Sequence, residues 1–343
     1  MSADRLISIS RSQAVFSQRS IAAVVSEFAF ELALCRQLEA DQEGIVSRQL
    51  STGVRGRRVM DVVCVSPGQG FDERRAITAD TIPPAAIESD VGAGVATYWK
   101  DAFDCHPETA AAAVESAVEC GFFERERHNG RTYVRQTARY PDWYGGLLGI
   151  ENKPDLGRPG ALETQLLTDV ELGVLDEVVL ATASHVTGAH LNHIPEAVGV
   201  WRFDPDSGER TVLREPTTLS PGEHGVEILD RSSGRTEIRI ATPDELRRAR
   251  QRIAERAYGK GWRSYNLPDC ARIEPDDAGL PLCPWKGRTV RPAVDCGPDC
   301  PGYQPDDSAD IDLERIRAER SPWDPDPAGR QREQSGLDQF GGS

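Results

Sequence analysis

The sequence has little lysine, few aromatic residues and no long apolar run. Lysine occurs at positions 100, 153, 260 and 286, within a total of 40 lysines and arginines, and aromatic residues make up 6% of the chain. A membrane-spanning helix needs about 18 or more consecutive apolar residues. The best candidate, Ile21–Cys35, is interrupted by Ser26, Glu27 and Glu31. Residues 1–20 lack the apolar region of a secretory signal, so we expect a cytoplasmic protein with no membrane partner.

The charge balance is strongly acidic, with a net charge of −15. Such a surface suits high salt, where carboxylates favour hydration and solubility. It argues against nucleic-acid binding through bulk charge, so any DNA contact must come from local basic patches or operate in salt that screens the remaining charge. The eight cysteines of a cytoplasmic chain are expected to be thiols or metal ligands rather than disulfides.

The tripeptide Glu151-Asn152-Lys153 carries the clearest chemical signal. The apolar run Gly146–Ile150 precedes it and Pro154 follows it, which predicts a buried strand. Residues two apart on a strand share a face, so Glu151 and Lys153 are expected to point together. A carboxylate there can hold a hard cation, and a lysine can position water or neutralise charge on a phosphate. An ordinary strand-end ion pair would explain the tripeptide if it stood alone.

Hydrophobic periodicity predicts two helices and two strands before this tripeptide and alternating helices and strands after it. The predicted elements are helix Ile21–Ala40, strands Ile45–Leu50 and Arg57–Val65, helix Pro107–Cys120, helix Ala161–Gly173, strand Glu177–Thr182, helix Val186–Ile194, strand Gly199–Phe203 and a basic helix Pro243–Tyr258. Asp61 lies inside an otherwise apolar strand. A buried lone carboxylate costs several kcal/mol unless it is paired or binds a cation, so Asp61 needs a partner.

The order of these elements and their acidic residues resembles the PD-(D/E)xK nuclease superfamily, in blocks covering residues 21–65 and 146–203. The resemblance implies an α/β restriction-endonuclease-like core, a mixed sheet flanked by helices. It also implies that Asp61 and Glu151 bind Mg²⁺ (or Mn²⁺) and that Lys153 positions the attacking water.

Two further residues enter through the same resemblance. Gln165 matches the helix glutamine of some branches of the superfamily. Glu31 matches the acid of the first helix, with Glu27, one turn earlier, as the alternative. The whole chain also resembles an uncharacterised haloarchaeal protein family.

The sequence departs from the superfamily pattern before and after Asp61. Met60 stands where a proline is expected, and an insertion of residues 66–145 separates Asp61 from Glu151. The long spacing leaves Glu88 or Asp90 as alternatives to Asp61.

The insertion contains an alanine-rich helix followed by a strand, an Asn-Gly turn and a second strand. This order is typical of a winged-helix-like unit. Its wing would place four arginines against DNA: Arg125, Arg127, Arg131 and Arg135. A small α+β insertion with solvated arginines explains the same pattern equally well.

Four cysteines lie close together in a segment rich in proline and glycine: Cys270, Cys283, Cys296 and Cys300. Four thiolates can hold Zn²⁺ tetrahedrally or a [4Fe–4S] cluster, with zinc favoured here. The spacing matches no strong signature, so unligated thiols remain an equal alternative.

These observations divide the chain into segments. They are a disordered leader (1–20), the first half of the core (21–65), the insertion (66–145), the second half of the core (146–205), β-hairpin segments (206–245), a basic helix with the four-cysteine extension (246–303) and a disordered acidic tail (304–343). The expected function is Mg²⁺-dependent DNA cleavage by an endonuclease or related phosphodiesterase, in repair or defence. The alternative is a non-catalytic DNA-binding or regulatory protein built on the same core.

Overall fold

The computed structural model describes residues 26–42, 44–54, 58–157, 160–232, 234–306 and 311–327. The predicted leader, residues 1–20, lies outside these ranges, as do residues 21–25 of the first predicted helix and residues 328–343 of the predicted tail. No helix within the described ranges combines the length and the apolar character needed to cross a membrane.

In chain order the elements are α1 (Glu27–Ala40), β1 (Ile45–Thr52), β2 (Arg58–Pro67), α2 (Phe71–Arg75), α3 (Pro84–Ile87), β3 (Thr97–Tyr98), a 3₁₀ turn (Trp99–Asp101), α4 (Pro107–Glu119), β4 (Phe123–His128), β5 (Arg131–Gln136), β6 (Tyr144–Asn152), α5 (Leu162–Glu171), β7 (Glu177–Thr182), α6 (Gly188–Asn192), β8 (Gly199–Phe203), β9 (Arg210–Arg214), β10 (Gly225–Ser232), β11 (Arg235–Ala241), α7 (Pro243–Lys260), β12 (Leu282–Cys283), β13 (Arg288–Thr289), α8 (Pro292–Asp295) and α9 (Leu313–Arg320).

A mixed sheet in the order β1-β2-β6-β7-β8-β9 organises the described part of the chain. β1, β2 and β6 pair antiparallel, β6, β7 and β8 pair parallel, and β9 closes the edge antiparallel. β7 reads EVVLAT and is buried from Val178 to Thr182, as a parallel strand covered on both faces should be. The predicted order of helix, three strands, helix and strand is confirmed by α1, β1, β2, β6, α5 and β7.

Helices cover both faces of this sheet. On one face Ile150 of β6 packs in the cluster that includes Leu34 of α1. On the other face Leu147 of β6 packs in the cluster that includes Leu166 of α5 and Ile253 of α7. Each fully buried leucine or isoleucine contributes about 1.5–3 kcal/mol relative to an exposed one. Successive side chains of β6 therefore alternate between the two faces of the sheet, one covered by α1 and the other by α5 and α7.

The segment between β2 and β6, predicted to be an insertion, forms a small α+β unit with its own core. Its strands pair in the order β3-β5-β4, and Ile82, Phe122 and Val134 are buried together. The predicted hairpin is confirmed, with Asn129 and Gly130 at φ 50° and 75° in the turn. Positive φ at both residues is the geometry that an Asn-Gly hairpin turn requires. The assignment of this unit as winged-helix-like stays a prediction.

The predicted disorder of residues 304–343 is wrong for the described segment 311–327. α9 lies in this segment, and Arg317 donates a hydrogen bond to the carbonyl of Gly259 at 3.0 Å. Trp323 is buried, and its indole nitrogen donates to the carbonyl of Ala79 at 2.9 Å. The composition of the segment is polar on average, but a few well-placed side chains are enough to pack it against α7 and the insertion.

Candidate carboxylate site

Asp61 of β2 and Glu151 of β6 lie next to each other, where the pairing of these two strands ends. The antiparallel register pairs Val62 with Ile150, so one further step along it places Asp61 opposite Glu151. The N–H of Asn152 donates to Oδ2 of Asp61 at 2.9 Å, which joins the two strand ends beyond the last paired residues. Glu151 is 6% exposed. Two acids that are 90 positions apart in sequence therefore share one partly buried location.

Arg58, the first residue of β2, bridges Glu151 and a third carboxylate, Asp169 of α5. Its Nη2 donates to Oε2 of Glu151 at 2.6 Å, and its Nε and Nη2 donate to Asp169 at 2.7 and 2.9 Å. Asp169 is 0% exposed. Neither Arg58 nor Asp169 is predicted from the sequence. Asp169 lies four residues after Gln165, on the same face of the helix, and that spacing is the signal that could have identified it.

Glu31 of α1 adds a fourth carboxylate from the opposite helical layer. It pairs with Arg48 and accepts hydrogen bonds from the side chains of Gln49 at 2.7 Å and Asn152 at 3.2 Å. Gln49 also donates to Oδ1 of Asp61 at 3.2 Å, so one amide connects the two acids. Oδ1 of Asn152 is buried and has no hydrogen-bond partner among the described residues.

Lys153 does not pair with Glu151 in the described structure. Its Nζ lies 3.1 Å from Oε1 of Glu27 in the first turn of α1. Glu151 and Lys153 therefore form no ion pair with each other in the described part of the chain, and that their side chains point together stays a prediction. Gln165 lies partly buried on α5, one turn before Asp169.

The backbone of Gln49 is left-handed, at φ 51°. Holding a residue other than glycine there costs about 1–3 kcal/mol, so the surroundings must enforce it. Lys260 at the end of α7 does so, since its Nζ donates to the carbonyls of Arg48 and Gln49 at 2.7 Å each. The amide of Gln49 can then reach both Glu31 and Asp61 from the strand that borders β2.

Burial raises the pKa of each of these carboxylic acids. For Glu151 burial is the largest cause and the charge of Asp61 the second; with Arg58 opposing both, the pKa is raised to about 7. Burial also raises the pKa of Asp61, against hydrogen bonds from Asn152 and Gln49. The pKa values of Asp169 and Glu31 are raised by burial too, against Arg58 and Arg48 respectively. Burial is the largest cause in each case, so the site disfavours the ionised form of all four acids.

The site fits a hard cation held by few protein ligands. Within the described ranges, no three His, Cys, Asp or Glu side chains are arranged to hold a metal ion. Mg²⁺, however, is usually held by one or two carboxylates and completes its shell with water and substrate phosphate. Asp61 and Glu151 provide that pair, and their raised pKa values are the reason a cation would stabilise the arrangement.

Three of the four clustered cysteines pack together. Cys270 and Cys283 are buried in one small core, and Cys296 packs against it. Burial raises the pKa of Cys296, and its two cysteine neighbours raise it further. Cys300 is half-buried, three positions before Tyr303 of the same core. The zinc or iron–sulfur site stays a prediction.

The arginines predicted to contact DNA lie on β4 and β5: Arg125, Arg127, Arg131 and Arg135. Arg125 pairs with Glu115 at 2.6 Å, Arg135 pairs with Glu126 at 2.7 Å, and Arg131 stacks on Tyr98. Any phosphate contact must compete with these glutamates, and the interaction with DNA stays a prediction.

The two alternatives to Asp61 lie in the insertion. Glu88 faces Arg248 of α7 at 3.9 Å. The N–H of Asp90 donates to the carbonyl of Ala102 at 2.9 Å. Asp61, by contrast, is bonded to Asn152 beside Glu151, so it is the acid that we retain for the site.

Comparison with known proteins identifies one family. A model described as a family of unknown function (DUF5787) matches residues 45–305. No curated protein and no solved structure matches the chain. The matched region contains Asp61, Glu151 and the four clustered cysteines, whereas α1 with Glu31 precedes it.

Proposed function

The chain belongs to DUF5787, a family of unknown function, and from its carboxylate site we propose that it is a Mg²⁺-dependent phosphodiesterase that cleaves DNA. The proposal extends the resemblance to PD-(D/E)xK nucleases from sequence to geometry. One observation carries it. Asp61 and Glu151 oppose each other on adjacent strands, and the pKa of Glu151 is raised to about 7 by burial and by that neighbour. Such crowding is costly for a structural site and useful for one that binds a cation.

The residues of the chain would divide the work of hydrolysis. A bound Mg²⁺ would supply charge neutralisation at the phosphate and a water of lowered pKa. Asp61 and Glu151 would hold it, and Arg58 would fix Glu151 through Oε2 while leaving Oε1 for the cation. Lys153, held by Glu27 at 3.1 Å, would orient the attacking water. Arg48, bonded to Glu31, would stand near the phosphate.

The test is cleavage of DNA by the purified full chain in high salt, with Mg²⁺ or Mn²⁺. We expect nicking by the wild-type protein and a loss of about 10²–10³-fold in rate for Asp61→Asn and Glu151→Gln, because each removes charge needed in the transition state. Glu163→Gln is the matched control, since Glu163 is a 60% exposed carboxylate of α5 that pairs only loosely with His193 at 3.6 Å. Equal rates for all three variants would show that the cleavage does not come from this site.

Two ion pairs favour a second candidate function, DNA binding or regulation without catalysis. Arg58 already neutralises part of Glu151, and Lys153 pairs with Glu27 rather than with Glu151. In a DNA-binding or regulatory protein without catalysis, these pairs would be the permanent state of the site. DNA binding without cleavage of linear, branched or single-stranded DNA in either metal would favour that function.

A further inference from the structure

A cleft of about 530 Å³ opens beside the carboxylate site, between the first turn of α1, the segment that follows α7, and α8. Its volume is within the range of about 300–1,000 Å³ that is usual for ligand sites. The lining combines aromatic rings with guanidinium groups: Phe28, Tyr265, Tyr303, Arg48 and Arg291. This combination is the one that proteins use to hold unpaired nucleotides, with rings for the bases and arginines for the phosphates.

Phe28 lies at the centre of the aromatic lining. The guanidinium carbons of Arg48 and Arg291 are 5.2 and 5.5 Å from its ring centroid, within cation–π distance. The ring of Tyr265 meets Phe28 edge-on at 6.4 Å. The hydroxyl of Tyr265 donates to the carbonyl of Gly279 at 2.7 Å, which fixes the orientation of that ring. The aromatic surface is therefore already in place before any ligand binds.

The charge of the cleft differs from that of the chain as a whole. Two arginines and one acid, Asp269, line it, in a protein of net charge −15. Arg48 is engaged by Glu31. Arg291 is exposed and has no ion pair with any described residue, so its guanidinium is available to a phosphate.

The cleft and the carboxylate site share two elements. Phe28 directly follows Glu27, the residue that holds Lys153. Arg48 lines the cleft and also pairs with Glu31, whose carboxylate shares Gln49 with Asp61. The cleft is therefore linked to Asp61 through Arg48, Glu31 and Gln49.

We propose that this cleft binds an unpaired DNA strand, with a base against its aromatic rings and a phosphate on Arg291. The proposal rests on the proposed function and specifies its substrate class: single-stranded DNA, or a frayed end or branch with unpaired nucleotides. Stacking on aromatic rings accepts every base, so we expect little sequence preference.

The experiment measures binding in EDTA, where no cleavage occurs, by fluorescence anisotropy of labelled (dT)₁₂ and of a blunt hairpin duplex. We expect the full chain to bind (dT)₁₂ more tightly than the hairpin. Arg291→Ala should weaken (dT)₁₂ binding about tenfold and lower the slope of log K against log salt by about 0.7, since one phosphate contact is lost. Tyr303→Leu should weaken binding by a similar factor through lost stacking while keeping an apolar side chain. Arg315→Ala is the control, because Arg315 is an exposed arginine of α9 paired with Glu319.

Two results would overturn the proposal: unchanged (dT)₁₂ binding by Arg291→Ala and Tyr303→Leu, both folded by thermal unfolding, or tighter binding of the hairpin than of (dT)₁₂. Because the readout is binding, it is separate from the cleavage test. Strand binding that depends on Arg291, without cleavage in Mg²⁺, would keep the cleft and reject the phosphodiesterase.

Discussion

Among the described residues that bury charge, two clusters have opposite outcomes. In the first, Arg74 of α2 meets Glu255 of α7, with side chains 0% and 1% exposed. Arg74 also donates to the carbonyls of Thr78 and Asp80, at 2.8 Å each, and Glu255 accepts a hydrogen bond from the hydroxyl of Tyr140 at 2.8 Å. Here the charges match one for one, and the pair joins the insertion to the helix that covers the main sheet.

The second cluster contains Asp61 and Glu151. Here two acids lie next to each other, and the neighbouring cations compensate their negative charge only in part. Arg58 must serve both Glu151 and Asp169, and burial together with the neighbouring acid raises the pKa of Glu151 to about 7. The two clusters differ in how their buried charge is compensated. A cluster that is balanced internally builds the structure, whereas one that is left unbalanced is suited to an external cation.

The largest expected effect breaks the balanced cluster. Glu255→Ala leaves Arg74 buried without its partner, so we expect a loss of about 3–5 kcal/mol in the free energy of unfolding. Denaturant titration measures it. Glu319→Ala, which removes one member of an exposed pair, should change the same quantity by less than about 0.5 kcal/mol. A loss below about 1 kcal/mol for Glu255→Ala would contradict the structural role of the pair.

The next effect has the opposite sign. At pH 8 in EDTA, Glu151→Gln should raise the free energy of unfolding by about 1 kcal/mol, because it removes a carboxylate whose ionised form is disfavoured. With Mg²⁺ added, the wild-type protein should gain stability and the variant should not. Destabilisation of Glu151→Gln in EDTA would show that the unbalanced cluster does not exist.

A pH dependence follows from the same residue. The folded-state pKa of Glu151, about 7, lies above its ordinary value of 4.5. The folded state therefore binds this proton more tightly, and the stability it contributes is lost as the pH rises from about 4.5 through 7. In EDTA, the unfolding free energy of the wild type minus that of Glu151→Gln should therefore fall over this window and level off above it, where the variant is the more stable protein. Stabilisation by Mg²⁺ should grow over the same window, and a pH-independent Mg²⁺ effect would exclude Glu151 as a ligand.

The smallest effect concerns Lys153. Its pair with Glu27 has side chains 27% and 67% exposed, so Lys153→Ala should cost less than about 1 kcal/mol in stability. If Lys153 orients the attacking water, Lys153→Ala should reduce the rate of cleavage far more than this small loss of stability explains. A stability loss as large as that of Glu255→Ala would place Lys153 among the structural charges instead.

The sequence predicts most of the secondary structure because the elements that carry the site have strong local signals. Glu177–Thr182 is predicted and observed with the same bounds, since a short apolar run with β-branched residues favours a buried strand. The Asn129-Gly130 turn follows from local backbone preference. α9 is missed, because composition averages over a segment whose packing depends on Ile316 and Trp323.

The candidate site is predicted less completely. Asp61 and Glu151 are found because each acid stands in or beside an apolar strand. Arg58 is missed because its role depends on a contact between the start of β2 and the last turn of α5 that no local pattern encodes. Asp169 is missed although it lies one turn after Gln165 on the same face of α5. The pairing of Lys153 with Glu27 likewise depends on how α1 packs against the end of β6.

Lys260 adds a consequence for the order in which the protein is made. Its ammonium is 212 residues from the carbonyl of Arg48 that it binds, and it enforces the backbone of Gln49 beside the acids. A ribosome delivers β1, β2 and β6 well before α7, so the nascent chain can pair these strands while Gln49 is still free to relax. We therefore expect the geometry of Gln49 beside Asp61 to be completed only after α7 has been synthesised.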